Sequence, residues 1–413
     1  MSADPESSDR SEAFRLGVNY WPARTAMGWW SDFDGAEVDT DFARIAAAGF
    51  DSVRVFLTWE DFQPAPERVN AGMLDRLVTV ADLARRAGLA VMPTLFTGHM
   101  SGVNWIPPWA LGGSDGDDRF RVVSGGRLTT LGLRNWYGDP EVGRAQALMA
   151  GEAATALAGH DAVWAWDLGN ENSNCVIPPS RSSTQDWLER ITAAIRAADS
   201  AVLVTIGLHM EDLEEDRILG PGEAAEVCDF LTMHGYPIYA RWAKGATDEH
   251  LLPFLALLTR WLGGGLDVLF SEFGLPTYRR ADPEGERARR DSAAVLVEEQ
   301  AAASYTERAL VVLRRAGCTG AMLWCYTDYA PAIWTNPPLD AATHERSFGL
   351  WRADGSPKPS VTVVKEFSGT DRSGGPDDHE WIDIEPGEFW DDSANNLSRL
   401  YGRYLESEGV TSR

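Results

Sequence analysis

Glu171 closes the stretch Trp166-Asp167-Leu168-Gly169-Asn170-Glu171, and Glu272 lies in Val268-Leu269-Phe270-Ser271-Glu272-Phe273-Gly274; each glutamate ends an apolar, strand-like run. Two carboxyl groups carried by different strands of one scaffold suit glycoside cleavage. One protonates the leaving oxygen and the other attacks the anomeric carbon, about 5–5.5 Å away in enzymes that retain configuration. Taken singly, either glutamate reads as a solvated strand-end residue. Together, with Asn170 beside Glu171 and polar or aromatic residues ending other apolar runs, they point to a site assembled strand by strand.

Such a site needs a frame that gathers strand ends. Short apolar runs alternate with amphipathic stretches, the pattern of strand-helix repeats around a parallel sheet. The predicted strands are 14–19, 52–57, 90–95, 162–168, 202–207, 230–234, 267–271 and 320–325, continuous apolar runs as expected when both faces are buried. Helices are predicted over 73–87, 141–158, 185–198, 249–262 and 290–315, where apolar residues recur at three and four. Asp139-Pro140 starts one of them, and Gly88, Gly159 and Gly317 close others. Eight units argue for an α/β fold of the (β/α)8 TIM-barrel type, and no Gly-x-Gly-x-x-Gly turn follows the first strand, which removes the dinucleotide-binding alternative.

The expected organisation is a disordered tail at 1–12, a catalytic barrel at 13–368, and an acidic linker with a helical extension at 369–413 packed on the barrel, too short to bury a core of its own. The connection from Thr97 to Asp139, after the third strand, is long for such a repeat and carries Trp105, Trp109 and Trp136. That much apolar surface either packs a small core of the loop's own or walls a sugar site; Trp105 and Trp109 are candidates for the wall.

The chain has 413 residues, 17 of them Trp, and a formal net charge of -25, which would repel a phosphate backbone or an anionic membrane. Neither nucleic acid nor membrane is an expected partner. The polar start Met1–Glu12 lacks a basic, apolar leader, so a cytoplasmic location is expected. Cys175, Cys228, Cys318 and Cys325 form no Cys-x-x-Cys pair, and Asp115, Asp117 and Asp118 lack the closing glutamate of a calcium loop. No metal and no cofactor are expected. Cys325 has no histidine partner implied for a thiol mechanism.

With these residues in order along the strands, the chain resembles glycoside hydrolase family 5, over most of its length up to about Phe367. The resemblance implies a counterpart for each recurrent family position: Arg54 on the second strand, His99 after the third, Asn170 and Glu171 after the fourth, His234 and Tyr236 after the sixth, Glu272 after the seventh and Trp324 on the eighth. It implies Glu171 as acid, kept protonated by burial and by the charge of Glu272, and Glu272 as nucleophile, held ionised by Arg54 and Tyr236. Asn170 would bond the sugar's 2-hydroxyl, Trp324 would floor the ring, and His99 and His234 would bond hydroxyls or orient neighbours, a satisfied core histidine being the plainer reading of each. His160, His209, His250, His344 and His379 receive no role.

Gly17-Val18-Asn19-Tyr20-Trp21-Pro22, the run Arg54 to Pro64 and Thr97-Gly98-His99-Met100-Ser101-Gly102 are similar to the branch holding intracellular exo-β-mannosidases of bacteria. That likeness implies a small carbohydrate substrate, a short β-mannoside such as mannosyl-β-1,4-N-acetylglucosamine. A β-glucosidase, a β-galactosidase, an endo-acting mannanase or cellulase, and a non-catalytic carbohydrate-binding barrel remain open beside it.

Overall fold

The apolar runs form eight parallel strands: β1 (Arg15–Tyr20), β2 (Ser52–Thr58), β3 (Ala90–Thr97), β4 (Ala165–Asn170), β5 (Leu203–Gly207), β6 (Leu231–His234), β7 (Val268–Phe273) and β8 (Gly320–Leu323). Every residue of β2, β4 and β7 is buried, as sequences apolar on both faces require. The computed structural model describes residues 13–114, 119–280, 282–292, 294–376 and 379–410. The expected tail at 1–12 and Asp115, Asp117 and Asp118 lie outside the described residues.

The strands pair in the order β5-β4-β3-β2-β1-β8-β7-β6. The seam between β5 and β6 is closed by a few bonds rather than a full ladder. Thr205 Oγ1 donates to Phe230 O at 2.8 Å, Thr232 Oγ1 to Ile206 O at 2.6 Å, and the His234 N–H to Leu208 O at 2.8 Å. Register aligns Asn19 with Arg54 and Asp167 with Thr94, so four polar side chains meet inside the barrel. The fold is a (β/α)8 TIM barrel.

Helices α1 (Gly35–Ala47), α2 (Ala71–Ala87), α3 (Pro140–Ala156), α4 (Arg181–Ala198), α5 (Pro221–Ala225), α6 (Leu251–Leu262), α7 (Glu299–Arg315) and α8 (Pro359–Phe367) belong to the connections. Asp139 caps α3 by accepting from the Glu141 and Val142 N–H groups, with Pro140 opening the helix. The helix expected over 290–315 starts later: α7 begins at Glu299, a separate polar helix lies at Pro283–Asp291, and Val297-Glu298 between them pairs with Thr277-Tyr278. The valines of Val295-Leu296-Val297 favour extended backbone, and counting that apolar run into the helical face carried the expected helix too far toward the N-terminus. Helix α1, capped by Asp34, went unassigned in the sequence.

The connection after β3 carries short strands: His99–Met100, Val103–Trp105, Arg121–Ser124 and Arg127–Thr129 make one small sheet. The C-terminal helix α9 (Ser393–Ser407) lies on α6. Phe254 meets Trp381, Tyr401 and Tyr404 at ring separations of 4.9–5.7 Å, and Tyr401 Oη donates to Asp248 Oδ2 at 2.6 Å. Among the described residues no helix is long and apolar enough to cross a membrane.

Candidate active site

Arg54 occupies the centre of the barrel floor and is wholly buried. Its guanidinium donates to Asp167 Oδ2 at 2.9 and 2.6 Å, to Thr94 Oγ1 at 2.9 Å, to Asn19 Oδ1 at 3.1 Å, to Asn170 Oδ1 at 2.8 Å and to Glu272 Oε1 at 2.5 Å. Burial alone would lower its pKa, but Asp167 and Glu272 outweigh that and raise it. A β-carbon at Gly207, the last residue of β5, would stand 3.0 Å from Arg54 Nη2 and 2.7 Å from Gly169 O, so only glycine leaves the guanidinium its place. A charge this deep is tolerable because every donor is engaged.

Glu272, inside β7, accepts from Arg54 and, through Oε2, from the Tyr236 hydroxyl at 2.8 Å. Glu171 leaves β4 in the left-handed region at φ +48°, a conformation that L side chains rarely adopt and that marks a constrained site. Its Oε1 meets His234 Nδ1 at 2.8 Å and its Oε2 accepts from Asn174 Nδ2 at 3.2 Å. Ligand-type atoms of Glu171, His234 and Glu272 all lie within 4.8 Å of one another. A cation held there would face the Arg54 guanidinium through Glu272, an arrangement unsuited to a metal.

The expected charge control of Glu171 needs correcting. Burial would raise its carboxyl, yet His209, His234 and His99 outweigh burial and hold it below the ordinary carboxylate range. Glu272 is not the group that governs it. Burial opposes charge on His209 as well, but Asp212 and Glu171 push that imidazole up to about 9. Burial keeps His99 neutral by lowering its pKa. Asn104 donates its amide to Asn174 O, so its Oδ1 accepts from His99 Nδ1 at 2.7 Å, and His99 Nε2, 3.8 Å from Glu171 Oε2, is left as an acceptor.

Arg54 supports the floor, and one pocket brings together the other sequence-predicted residues His99, Asn170, Glu171, His234, Tyr236, Glu272 and Trp324. It does not include Trp105 or Trp109. Trp109 donates its indole N–H to Gln63 O at 2.9 Å and packs edge-on against Trp59 at 5.3 Å, with Trp136 against the same ring at 5.6 Å. The tryptophans of the long loop therefore pack on the main apolar core, Trp109 and Trp136 against Trp59 of the β2 connection, and the loop's Phe120 reaches the pocket, 4.4 Å from the His99 ring.

Reasoning from sequence missed Asp167, although it stands in the motif that flagged Glu171, because strand residues before a candidate acid carry no mark of which way they point. It also missed Asn174, His209, Tyr239, His344 and Glu345, which line the pocket from loops after β4, β5, β6 and β8. The rim is tied across. Ser101 Oγ donates to Glu345 Oε2 at 2.9 Å, and Arg121 grips both Asp340 oxygens at 2.8 and 2.7 Å, so the loop after β3 is joined to the loop after β8.

Residues 16–307 match the family described as Cellulase (glycosyl hydrolase family 5). The exo-β-1,4-mannosidase Op5Man5 of Opitutaceae bacterium strain TAV5 is 28% identical with a TM-score of 0.69, covering 89% of this chain and 62% of that one. GH5_18 of Streptomyces cattleya in complex with GlcNAc is 22% identical with a TM-score of 0.77, over 97% and 92% of the two chains. A variant of it has been solved in complex with Manβ1-4GlcNAc. Mannan endo-1,4-β-mannosidase 2 of Oryza sativa subsp. japonica is 27% identical over a stretch that spans 27% of this chain and 30% of the rice protein.

Proposed function

We propose that this chain, which belongs to glycosyl hydrolase family 5, is a retaining exo-β-mannosidase that releases terminal mannose from short β-mannosides such as mannosyl-β-1,4-N-acetylglucosamine. The observation that carries the chemistry is the approach of Glu171 and Glu272 to within 4.8 Å, on the retaining rather than the inverting side of the carboxylate spacings. In the first step an oxygen of Glu272 bonds to the anomeric carbon while the bond to the leaving oxygen breaks and Glu171 supplies that oxygen's proton. The 2.8 Å contact between Glu171 Oε1 and His234 Nδ1 orients the Glu171 carboxyl in the pocket. In the second step water attacks the glycosyl ester, Glu171 takes its proton, and Glu272 leaves as carboxylate.

Arg54 and Tyr236 both donate to Glu272, one to each carboxyl oxygen, which orients it. Asn170 spends Oδ1 on Arg54 and one amide hydrogen on His99 O at 3.0 Å, which leaves its other amide hydrogen for the 2-hydroxyl. Exo action is supported by the Ser101–Glu345 and Arg121–Asp340 ties, which wall one end of what would otherwise be an open groove. Preference for mannose is supported by the likeness to Op5Man5. A panel of 4-nitrophenyl β-glycosides tests this reading: the mannoside should be hydrolysed with the highest kcat/KM, and a higher value for the glucoside or galactoside would replace the sugar while leaving the mechanism.

A further inference from the structure

Glu345 takes no part in the steps above, yet it is a buried carboxyl, 7% exposed, in the pocket wall. It stands on the short turn Thr343–Ser347 after β8. Ser101 Oγ donates to Oε2 at 2.9 Å, the Tyr239 hydroxyl lies 3.2 Å from Oε1 and 2.7 Å from His344 Nε2, and the Trp324 side chain adds a third polar neighbour. No lysine or arginine pairs with it among the described residues; its one basic neighbour is His344, whose Nε2 lies 3.5 Å away. Burial lowers the pKa of His344 and so disfavours a charge on that ring. Burial, with the charge of Glu272 added, pushes the Glu345 carboxyl up to about 7.

A buried carboxyl without a cation costs stability, and a role confined to packing would be served as well by an amide or an apolar residue. A carboxylate offers about four lone-pair positions. Ser101, Tyr239 and Trp324 take three at most, and Tyr239 has one proton to divide between Glu345 and His344, so the carboxyl keeps acceptor capacity toward the pocket. Glu272 lies near enough for its charge to act on this carboxyl, and the Glu345 charge in turn reaches Tyr236, whereas Asn174 and His209 crowd the Glu171 side, where the leaving group departs.

We propose that Glu345 is a specificity-determining residue that accepts a hydroxyl of the terminal sugar on the edge away from the scissile bond, so that a sugar substituted at that hydroxyl is refused. The inference rests on the pocket binding a terminal glycoside, as proposed above. It needs no chemistry from Glu345, only a hydrogen bond made with the sugar in place.

The test is a cycle of enzyme and substrate changes on the full chain. Hydrolysis of 4-nitrophenyl β-mannoside and of its 3-, 4- and 6-deoxy analogues is measured for the wild type and for the near-isosteric Glu345→Gln. One deoxy analogue should lose about 10- to 100-fold in wild-type kcat/KM, Glu345→Gln should lose a similar factor on the parent sugar, and the two losses should not add when variant and analogue are combined. Full additivity with every analogue, or wild-type indifference to all three, would overturn the role of Glu345. The underlying reading fails separately: a wild type that neither turns over the parent glycoside nor takes up a 2-fluoro mannoside label at Glu272 would overturn it.

Discussion

Three histidines around one carboxylate decide how Glu171 behaves. His209, His234 and His99 hold its carboxyl below the ordinary range, and His234 Nδ1 fixes its direction through a 2.8 Å contact with Oε1. Truncation should discriminate between leaving groups. Glu171→Ala should retain formation of the glycosyl intermediate from 2,4-dinitrophenyl β-mannoside, lose it from the natural disaccharide by about 100- to 10,000-fold, and be rescued by azide. Equal loss on both substrates without rescue would move the acid elsewhere. His209 makes a second prediction. Its pKa is raised above the ordinary 6.5, so its charge stabilises the fold fully below about pH 6.5 and this contribution is lost as pH rises through about 9. Denaturant unfolding should show a cost for His209→Gln, on the order of 3 kcal/mol at most, at pH 6, shrinking by pH 10; a cost independent of pH would refute the assignment. Asn170 was legible because a β-strand run ends on it, and Arg54 because a lone cation interrupts an apolar strand at a recurrent family position. His209 and Glu345 were not, because loop residues gain partners only when loops far apart in sequence fold together.

At the level of elements, the barrel mouth is shaped by two loops and what joins them. Arg121 and Asp340 are each about a third exposed, so their ion pair adds little to stability, about 0–1 kcal/mol. Its value lies in holding the long loop after β3 against the loop after β8. Arg121→Ala should leave the thermal midpoint nearly unchanged, raise KM for short β-mannosides, and let internal bonds of mannohexaose be cut, visible as mannobiose and mannotriose early in the time course. Mannose as the sole early product would show that the tie does not close the site. The length of that loop and its aromatic load were readable from the sequence; their use was not. Tryptophan side chains pack wherever apolar surface is nearest, and Trp59 on the β2 connection offered it, leaving Phe120 to face the sugar site.

The whole molecule is one barrel with a helical strap. Its repeat pattern and glycine stops were evident in sequence because strands buried on both faces leave long apolar runs, but the start of α7 at Glu299 was hidden by the apolar run Val295-Leu296-Val297, which continues its helical periodicity. The strap of α9 is fastened to α6 by Tyr401, whose hydroxyl donates to Asp248. Tyr401→Phe should cost about 0.5–1.5 kcal/mol in unfolding free energy without altering kcat on an aryl mannoside, since it removes one of two hydrogen bonds to Asp248 Oδ2 and leaves the one from the Lys244 N–H; a stability equal to wild type would mean water replaces the hydroxyl. The central claim is a double displacement through Glu272, and trapping tests it most directly. After incubation with a 2-deoxy-2-fluoro-β-mannosyl fluoride, mass spectrometry of the digested protein should find one sugar per chain, attached to Glu272. A label on any other residue, or product NMR showing inversion at the anomeric carbon, would contradict the account.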